Sequence, residues 1–471
     1  VRDGHLKDRA RHRKAPKTSH SFAFTSCWAD AKNRNIGDLR GFTRTFFAKH
    51  TLLNILTRYC VFDSKRQLLV MRPYQIAAAE GILQRMQGSH NLRQWGTAAA
   101  GGYIWHTTGS GKTLTSFKTA QLAQGLPGVA KVLFVVDRKD LDYQTMKEYD
   151  RFQKGAANAS QSTRELEAKL DDPAVRIIVT TIQKLARFVV LRKQHSVYGH
   201  RVALVFDECH RSQFGEMHKH ITKAFKRYHL FGFTGTPIFA ENAYGGQVAG
   251  LRTTEEAFGD KLHAYTIVDA INDKNVLPFR IDYINTFKAK DGFKDKPVSG
   301  IDREKALLAP ERVGQVVGYI REHFDQKTKR GHTYSLDARR LSGFNALFAC
   351  ASIEAAKRYY AEFKTQQRAL SPGQRLKVGL IYSFAPNEET PDGFLDEEGF
   401  ETVGLDQGSR DFLDSAIADY NALFATNFDS SAERFENYYK DLSQRIKNRD
   451  LDLVIVVNMF LTGFDATTLN T

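Results

Sequence analysis

The sequence is poor in cysteine: four residues of 471, at Cys27, Cys60, Cys209 and Cys350, with no CxxC pair among them. That excludes a zinc ribbon and a disulfide framework, and it suits a reducing compartment, so a cytoplasmic location is expected. No apolar run approaches the ~18 residues of a membrane-spanning helix. The first residues also lack the apolar stretch of a secretory signal, and no membrane partner is expected. What the chain has in excess is positive charge, 68 Lys and Arg against 53 Asp and Glu, for a net charge of +15. Such an excess attracts polyanions, because neutralising phosphates releases condensed counterions. Charge alone names no partner. A hydrophobic fraction of 42% is ample for folded cores, and at roughly 150 residues per domain the length suggests about three units.

Residues 1–20 are basic and nearly devoid of large apolar side chains, which reads as a disordered arm. Residues 21–69 turn aromatic and leucine-rich and read as a small helical lead-in. From 70 to 280 short apolar runs recur, each followed by a polar or helical segment: GGYIW (101–105), KVLFVV (131–136), RIIVTT (176–181), ALVF (203–206) and LFGFTG (230–235). The runs are continuous rather than alternating and rich in Val, Ile and Phe. That is the pattern of strands buried on both faces of a parallel sheet, with helices as crossovers. A Lys-, Asp- and Gly-rich linker (281–309) precedes a second series over 310–471, with strands expected at 344–351, 376–383 and 451–457. Between them, residues 387–411 read as a solvated acidic insertion.

The sharpest local signal is His106-Thr107-Thr108-Gly109-Ser110-Gly111-Lys112-Thr113, which follows a strand and opens a helix. Strand, glycine-containing loop and Lys-Thr at a helix start is the context a phosphate cradle requires. The glycines let backbone N–H groups approach phosphates, Lys112 reaches the β- and γ-phosphates, and the Thr113 hydroxyl ligates Mg²⁺. His106 stands where GxxxxGK[ST] has its first glycine. The complementary acids come in ALVFDECH (203–210), at the end of a buried-type strand. Asp207 is placed to hold Mg²⁺ and Glu208 to act as general base for the attacking water. His210 lacks partners at zinc spacing, so coupling to neighbouring loops is its expected role.

These residues resemble the motifs of superfamily 2 helicases. TTGSGKT is similar to motif I and DECH to motif II, while Met71-Arg72-Pro73-Tyr74-Gln75 resembles the adenine-reading Q element. The resemblance implies that Gln75 contacts the adenine edge with Arg72 or Tyr74 nearby. It also implies that Thr234 and Thr236 of FTGTP, similar to motif III, couple the γ-phosphate to domain closure. VVDRKDLDYQT (135–145) and VTTIQKL (179–185) resemble the backbone-gripping elements, with Arg138, Thr181 and Gln183 as candidate DNA contacts. FACAS (348–352) resembles motif IV. LTGFD (461–465) resembles motif V, implying Thr462 on a DNA phosphate and Asp465 on the ribose. The arginine-finger element of the superfamily is not among these residues, so this stretch alone is expected to bind ATP and hydrolyse it poorly.

Longer strings narrow the likeness. MRPYQIAAAE, GGYIWHTTGSGKTLTSFK, FDECHRSQFGE, FGFTGTPIF and VIVVNMFLTGFDA resemble the restriction subunit of type I restriction-modification enzymes, over roughly residues 22–471. The resemblance implies an α/β fold of two RecA-like lobes with parallel sheets after the lead-in, truncated at both ends relative to the family. A PD-(D/E)xK nuclease domain is implied upstream and a helical docking domain downstream; residues 1–50 hold no convincing nuclease constellation. ATP and Mg²⁺ are implied in the cleft between lobes. Implied partners are double-stranded DNA and the modification (methyltransferase) and specificity subunits, and the implied activity is ATP-driven DNA translocation. Two rivals share the motifs: a strand-separating DNA or RNA helicase, and a noncatalytic ATP-gated DNA clamp.

Overall fold

The protein is described by a computed structural model over residues 27–64, 66–136, 149, 151–152, 158–159, 162–210, 216–242, 253–284, 307–336, 339–382, 406–457, 459–460, 464 and 466–471. The expected basic arm, Arg138, Thr462 and Asp465 lie outside the described residues. The chain divides into two compact units, Val1–Phe279 and Arg280–Thr471. No described helix is long and apolar enough to cross a membrane.

The first unit begins with helices α1 (Leu39–Phe46) and α2 (Lys49–Thr57). An antiparallel hairpin follows, β1 (Cys60–Phe62) with β2 (Leu68–Val70), in the register Phe62 to Leu68. The lead-in is therefore helical with a hairpin that the leucine-rich reading did not contain. Asp63 closes the hairpin's turn by accepting from the Gln67 amide at 2.8 Å, a local side-chain turn that hydrophobic periodicity does not reveal.

A seven-stranded sheet is the body of this unit. Its strands are β3 (Gly102–His106), β4 (Val129–Val136), β5 (Asn158–Ala159), β6 (Ile177–Thr181), β7 (Arg201–Phe206), β8 (Arg227–Thr234) and β9 (Lys261–Tyr265). They lie in the order β5-β6-β4-β7-β8-β3-β9 and every pairing is parallel. The helices around it are α3 (Pro73–Asn91), α4 (Lys112–Ala123), α5 (Thr163–Asp171), α6 (Ile182–Leu191), α7 (Glu216–Ala224), α8 (Thr254–Phe258) and α9 (Ile267–Asn272). Because side chains alternate along a strand, each continuous apolar run feeds two cores. Leu133, Val135, Val202, Leu204 and Phe206 enter one; Val132, Phe134, Ala203, Val205 and Phe233 enter the other. All five runs expected as strands fall in this sheet. β9 escaped expectation because it is an edge strand with a broken apolar pattern, KLHAY, and an exposed Lys261.

The second unit is built on a three-stranded parallel sheet, order β12-β14-β13. It comprises β12 (Ala346–Ala349), β13 (Val378–Tyr382) and β14 (Leu453–Val457), flanked by an antiparallel hairpin β10 (Thr333–Leu336) and β11 (Arg339–Ser342). Helices α10 (Pro310–Lys327), α11 (Ile353–Gln367), α12 (Gln407–Phe424) and α13 (Ala432–Asn448) cover the sheet. The Tyr438 hydroxyl donates to the Leu380 carbonyl at 2.7 Å, tying α13 to β13. The acidic stretch expected to be solvated through Asp411 needs correction at its end. Asp406 caps α12 by accepting from the Ser409 amide at 2.9 Å, so Gln407–Asp411 are helical.

Candidate nucleotide-binding site

Sheet order places the site. β7 and β3 both neighbour β8, so the DECH strand, the TGTP strand and the strand before the glycine loop end side by side. Trp105 is in register with Thr234, and Phe206 with Gly232. In open α/β sheets this carboxyl edge is where ligands bind. Two strand spacings of ~4.8 Å separate β3 from β7, a gap that a lysine from the loop can bridge.

It does bridge it. Lys112, the first residue of α4, places its Nζ 3.2 Å from Glu208 Oε1. The loop before it turns through Gly109 (φ +80°) and Gly111 (φ +77°). Both are left-handed conformations that a Cβ would strain, and Gly111 is the N-cap of α4. Thr108, Gly109 and Gly111 are exposed, Ser110 is buried, and Thr113 sits in the first helical turn. A helix N-terminus carrying glycine-loop amides and a lysine is an anion site by construction.

The acids are held by their own turn. The Asp207 amide donates to Val135 O, Cys209 N to Phe233 O, and Glu208 N to Asp207 Oδ1, each at 3.0 Å. Glu208 itself has φ +43°, a conformation costly for a side-chain-bearing residue. His210 Nδ1 lies 2.9 Å from the Thr234 hydroxyl and 3.6 Å from Glu208 Oε2, and Thr234 Oγ1 accepts from Thr236 N at 3.0 Å. Lys112, Glu208, His210, Thr234 and Thr236 thus form one continuous polar chain. Trp105 Nε1 adds a bond to Gly235 O at 3.1 Å, a link the sequence reading did not foresee.

Residues beneath the loop make contacts that the sequence reading did not include. Gln75 is buried, and its amide donates to Ser110 O (3.1 Å) and Gly111 O (3.3 Å) while its oxygen accepts from Arg72 N (2.9 Å). Arg72 is the N-cap of α3. His106 needs no glycine's freedom because it ends β3 in extended backbone without a positive φ, and its ring Nε2 lies 2.9 Å from His263 Nδ1 on β9. Burial holds the His106 imidazole well below its ordinary pKa, and that of His263 at about 4. Thr181 is buried, and its hydroxyl caps α6 by accepting from Lys184 N at 3.3 Å. Gln183 stands on the same first turn.

Comparison with known proteins places the chain in a family. Residues 74–309 match the family model "SWI2/SNF2 ATPase", and residues 342–471 match "Type I restriction enzyme subunit R domain 3". In Mycoplasma pneumoniae, the putative C-terminal part of the type I restriction enzyme MpnIIP endonuclease subunit is 48% identical over 204 residues, which is 42% of this chain and 99% of that protein. This chain belongs to the endonuclease-subunit family of type I restriction enzymes. The SauMRSORF196P endonuclease subunit of Staphylococcus aureus (strain MRSA252) is 40% identical over 453 residues, 94% of this chain and 45% of the relative. The chain thus spans about half the length of the curated relatives it matches along its full extent. Among solved structures, the Type ISP restriction-modification enzyme LlaBIII bound to DNA aligns with a TM-score of 0.44 and 16% identity, covering 86% of this chain and 26% of that one. The Sulfolobus solfataricus SWI2/SNF2 ATPase core in complex with dsDNA gives 0.32 and 14%, covering 86% and 80%. As a member of this family with a SWI2/SNF2 ATPase domain, the chain is an ATP-using component, and each of its two units is built on a parallel sheet.

Proposed function

We propose that this chain is the ATP-driven, double-stranded-DNA translocase motor of a type I restriction-modification enzyme. The observation that carries the reading is the Lys112–Glu208 contact at the junction of the glycine loop and the DECH turn. Lys112 holds the β- and γ-phosphates. Glu208 takes the proton from the attacking water, and the amides of the loop carry the remaining negative charge. Asp207 at the end of β7 and Thr113 in the first turn of α4 are the oxygen donors suited to Mg²⁺, an ion content with one or two carboxylates plus phosphates. Held by these two residues, Mg²⁺ would supply positive charge against the charge that develops on the phosphates.

His210, Thr234 and Thr236 transmit the state of the γ-phosphate, since they follow the base in series: His210 Nδ1 lies 3.6 Å from Glu208 Oε2 and is hydrogen-bonded to the Thr234 hydroxyl, which accepts from the Thr236 amide. Arg138, Gln183 and Thr462 are the proposed contacts to the DNA backbone, with Asp465 on the ribose. At Thr181 the contact comes from the N-terminal end of α6 rather than from the buried hydroxyl. Phosphate contacts carry no sequence information, so specificity falls to a separate subunit, and a methyltransferase subunit makes up the rest of the assembly.

The test uses the full-length subunit assembled with its partners. Lys112→Ala and Asp207→Ala are expected to abolish DNA-stimulated ATP hydrolysis in a subunit that still folds and assembles, and duplex DNA should stimulate better than single-stranded DNA or RNA. Turnover retained in either variant removes the assigned roles. Preferential stimulation by single strands would make the motor a strand-separating helicase.

A further inference from the structure

Under the glycine loop lies a stack of two tyrosines that no step above uses. Tyr74, in the first turn of α3, donates its hydroxyl to the Ser110 carbonyl at 2.7 Å. Its ring lies flat on that of Tyr265, the last residue of β9, with centroids 3.6 Å apart and planes 8° from parallel. Tyr265 is fully buried, and its hydroxyl bonds Asp273 Oδ2 at 3.0 Å and receives the Asn275 amide. The Tyr265 carbonyl also accepts from Thr107 N, at the start of the same loop, at 2.9 Å. One tyrosine therefore holds the loop's entry by its backbone and supports the tyrosine that holds its exit.

The position of that hydroxyl decides its consequence. A peptide is planar and trans, so its N–H points opposite its C=O. Fixing the Ser110 carbonyl on Tyr74 turns the Gly111 N–H to the opposite face of the loop, away from the Tyr74 hydroxyl. The Gly111 carbonyl is likewise bound, by Gln75 and by Thr115 N at 3.1 Å. With φ near +77° the Gly111 backbone is otherwise free to flip.

We infer that Tyr74, braced by the ring of Tyr265, is a positioning residue that sets the phosphate-binding face of the glycine loop and takes no part in reading the base. The inference rests on the nucleotide-site reading above and adds two residues to it. Binding that depends on loop amides is blind to adenine, which gives the test its form.

Isothermal titration of the 471-residue chain would compare Mg·ATP with Mg·tripolyphosphate, the latter by competition where it is weak. Tyr74→Phe keeps the ring and loses one oxygen. It should weaken both ligands by the same factor, roughly 3- to 10-fold, the weight of one net hydrogen bond. Tyr265→Leu should reproduce that parallel loss, and Tyr265→Phe, which keeps the stack, should retain wild-type affinity for both. A purely structural role would lower the melting temperature and the binding-competent fraction while leaving the dissociation constants in place, and would overturn the inference. So would a loss confined to ATP, which would make Tyr74 an adenine contact. Lys112→Ala in parallel separates the two levels: if it leaves ATP affinity unchanged, the nucleotide-site assignment itself fails.

Discussion

Replacing Glu208 by glutamine should make the protein bind ATP more tightly while destroying its capacity to hydrolyse it. Lys112 cannot hold Glu208 and a triphosphate equally well, so nucleotide binding must draw on the 3.2 Å contact between them. At that distance and an effective dielectric near 20, the gross attraction is about 5 kcal/mol. Much of it is offset by desolvation of two groups whose side chains are only 11% and 5% exposed. A net of about 2 kcal/mol released by the amide corresponds to roughly 30-fold tighter ATP binding. The same energy should be missing from the ligand-free protein, whose first unit should melt roughly 4–8 °C lower. Saturating Mg·ATP should erase the difference, because binding to the folded state alone restores stability by mass action. Calorimetric melting with and without nucleotide, together with titration, reads both effects. In the full-length subunit, loss of the base should cut turnover by about 10²- to 10⁴-fold. Unchanged melting combined with equal or weaker ATP affinity would show that the lysine is not held by this carboxylate.

The remaining predictions concern the scaffold. His218, His229 and His263 are held at about 4 by burial, against 6.5 when free. Between these values the unfolded chain takes up protons that the folded chain refuses, so stability is full above pH 6.5 and drains as pH falls toward 4. At pH 5.5 the three together should cost about 4 kcal/mol relative to pH 7.5, read by denaturant titration at both pH values; equal stability there would mean that these rings are not buried as neutral imidazoles. Gly101→Ala should destabilise by about 3 kcal/mol, since a Cβ there would stand 2.3 Å from Leu230 O and 2.5 Å from Phe258 O, both backbone atoms. A wild-type urea midpoint in that variant would contradict the strand placement. Thr181→Ala should cost about 1 kcal/mol through loss of the α6 cap, and Thr181→Ser should restore it; a loss of DNA affinity in Thr181→Ala with no change in stability would instead make the hydroxyl a direct contact.

The sheet was legible because its strands are buried on both faces, and a continuous Val/Ile/Phe run admits few other solutions. The meeting of Lys112 with Glu208 was legible because the residue types and settings that phosphate chemistry would need single out both positions. What stayed hidden was contact made by ordinary residues across long sequence separations. Tyr265 lies in an edge strand with a weak pattern, 191 residues beyond the tyrosine it stacks on. Gln75 drew an adenine contact from the string it resembles, and its amide on the loop carbonyls is a further contact that only the fold shows. Thr181 followed the same pattern, a hydroxyl offered to DNA by resemblance and committed by geometry to its own helix.

Glu208 shows why the central contact could be anticipated in kind but not in form. A residue directly after a strand would ordinarily continue extended or turn right-handed. Instead two backbone bonds fix its neighbours, Asp207 N to Val135 O on one adjacent strand and Cys209 N to Phe233 O on the other, and its own amide donates to the Asp207 carboxylate. Together they hold Glu208 at φ +43°. A strain of order 1–3 kcal/mol persists only where the surroundings over-determine it, and here the two flanking strands do so. The result is a carboxylate brought to Lys112 on one side and to the His210–Thr234 pair on the other. A base able to sense its lysine through one oxygen and the next strand through the other can tie occupancy of the phosphate loop to the TGTP turn. That coupling depends on the sheet order, because only with β8 between β3 and β7 does one side chain reach both.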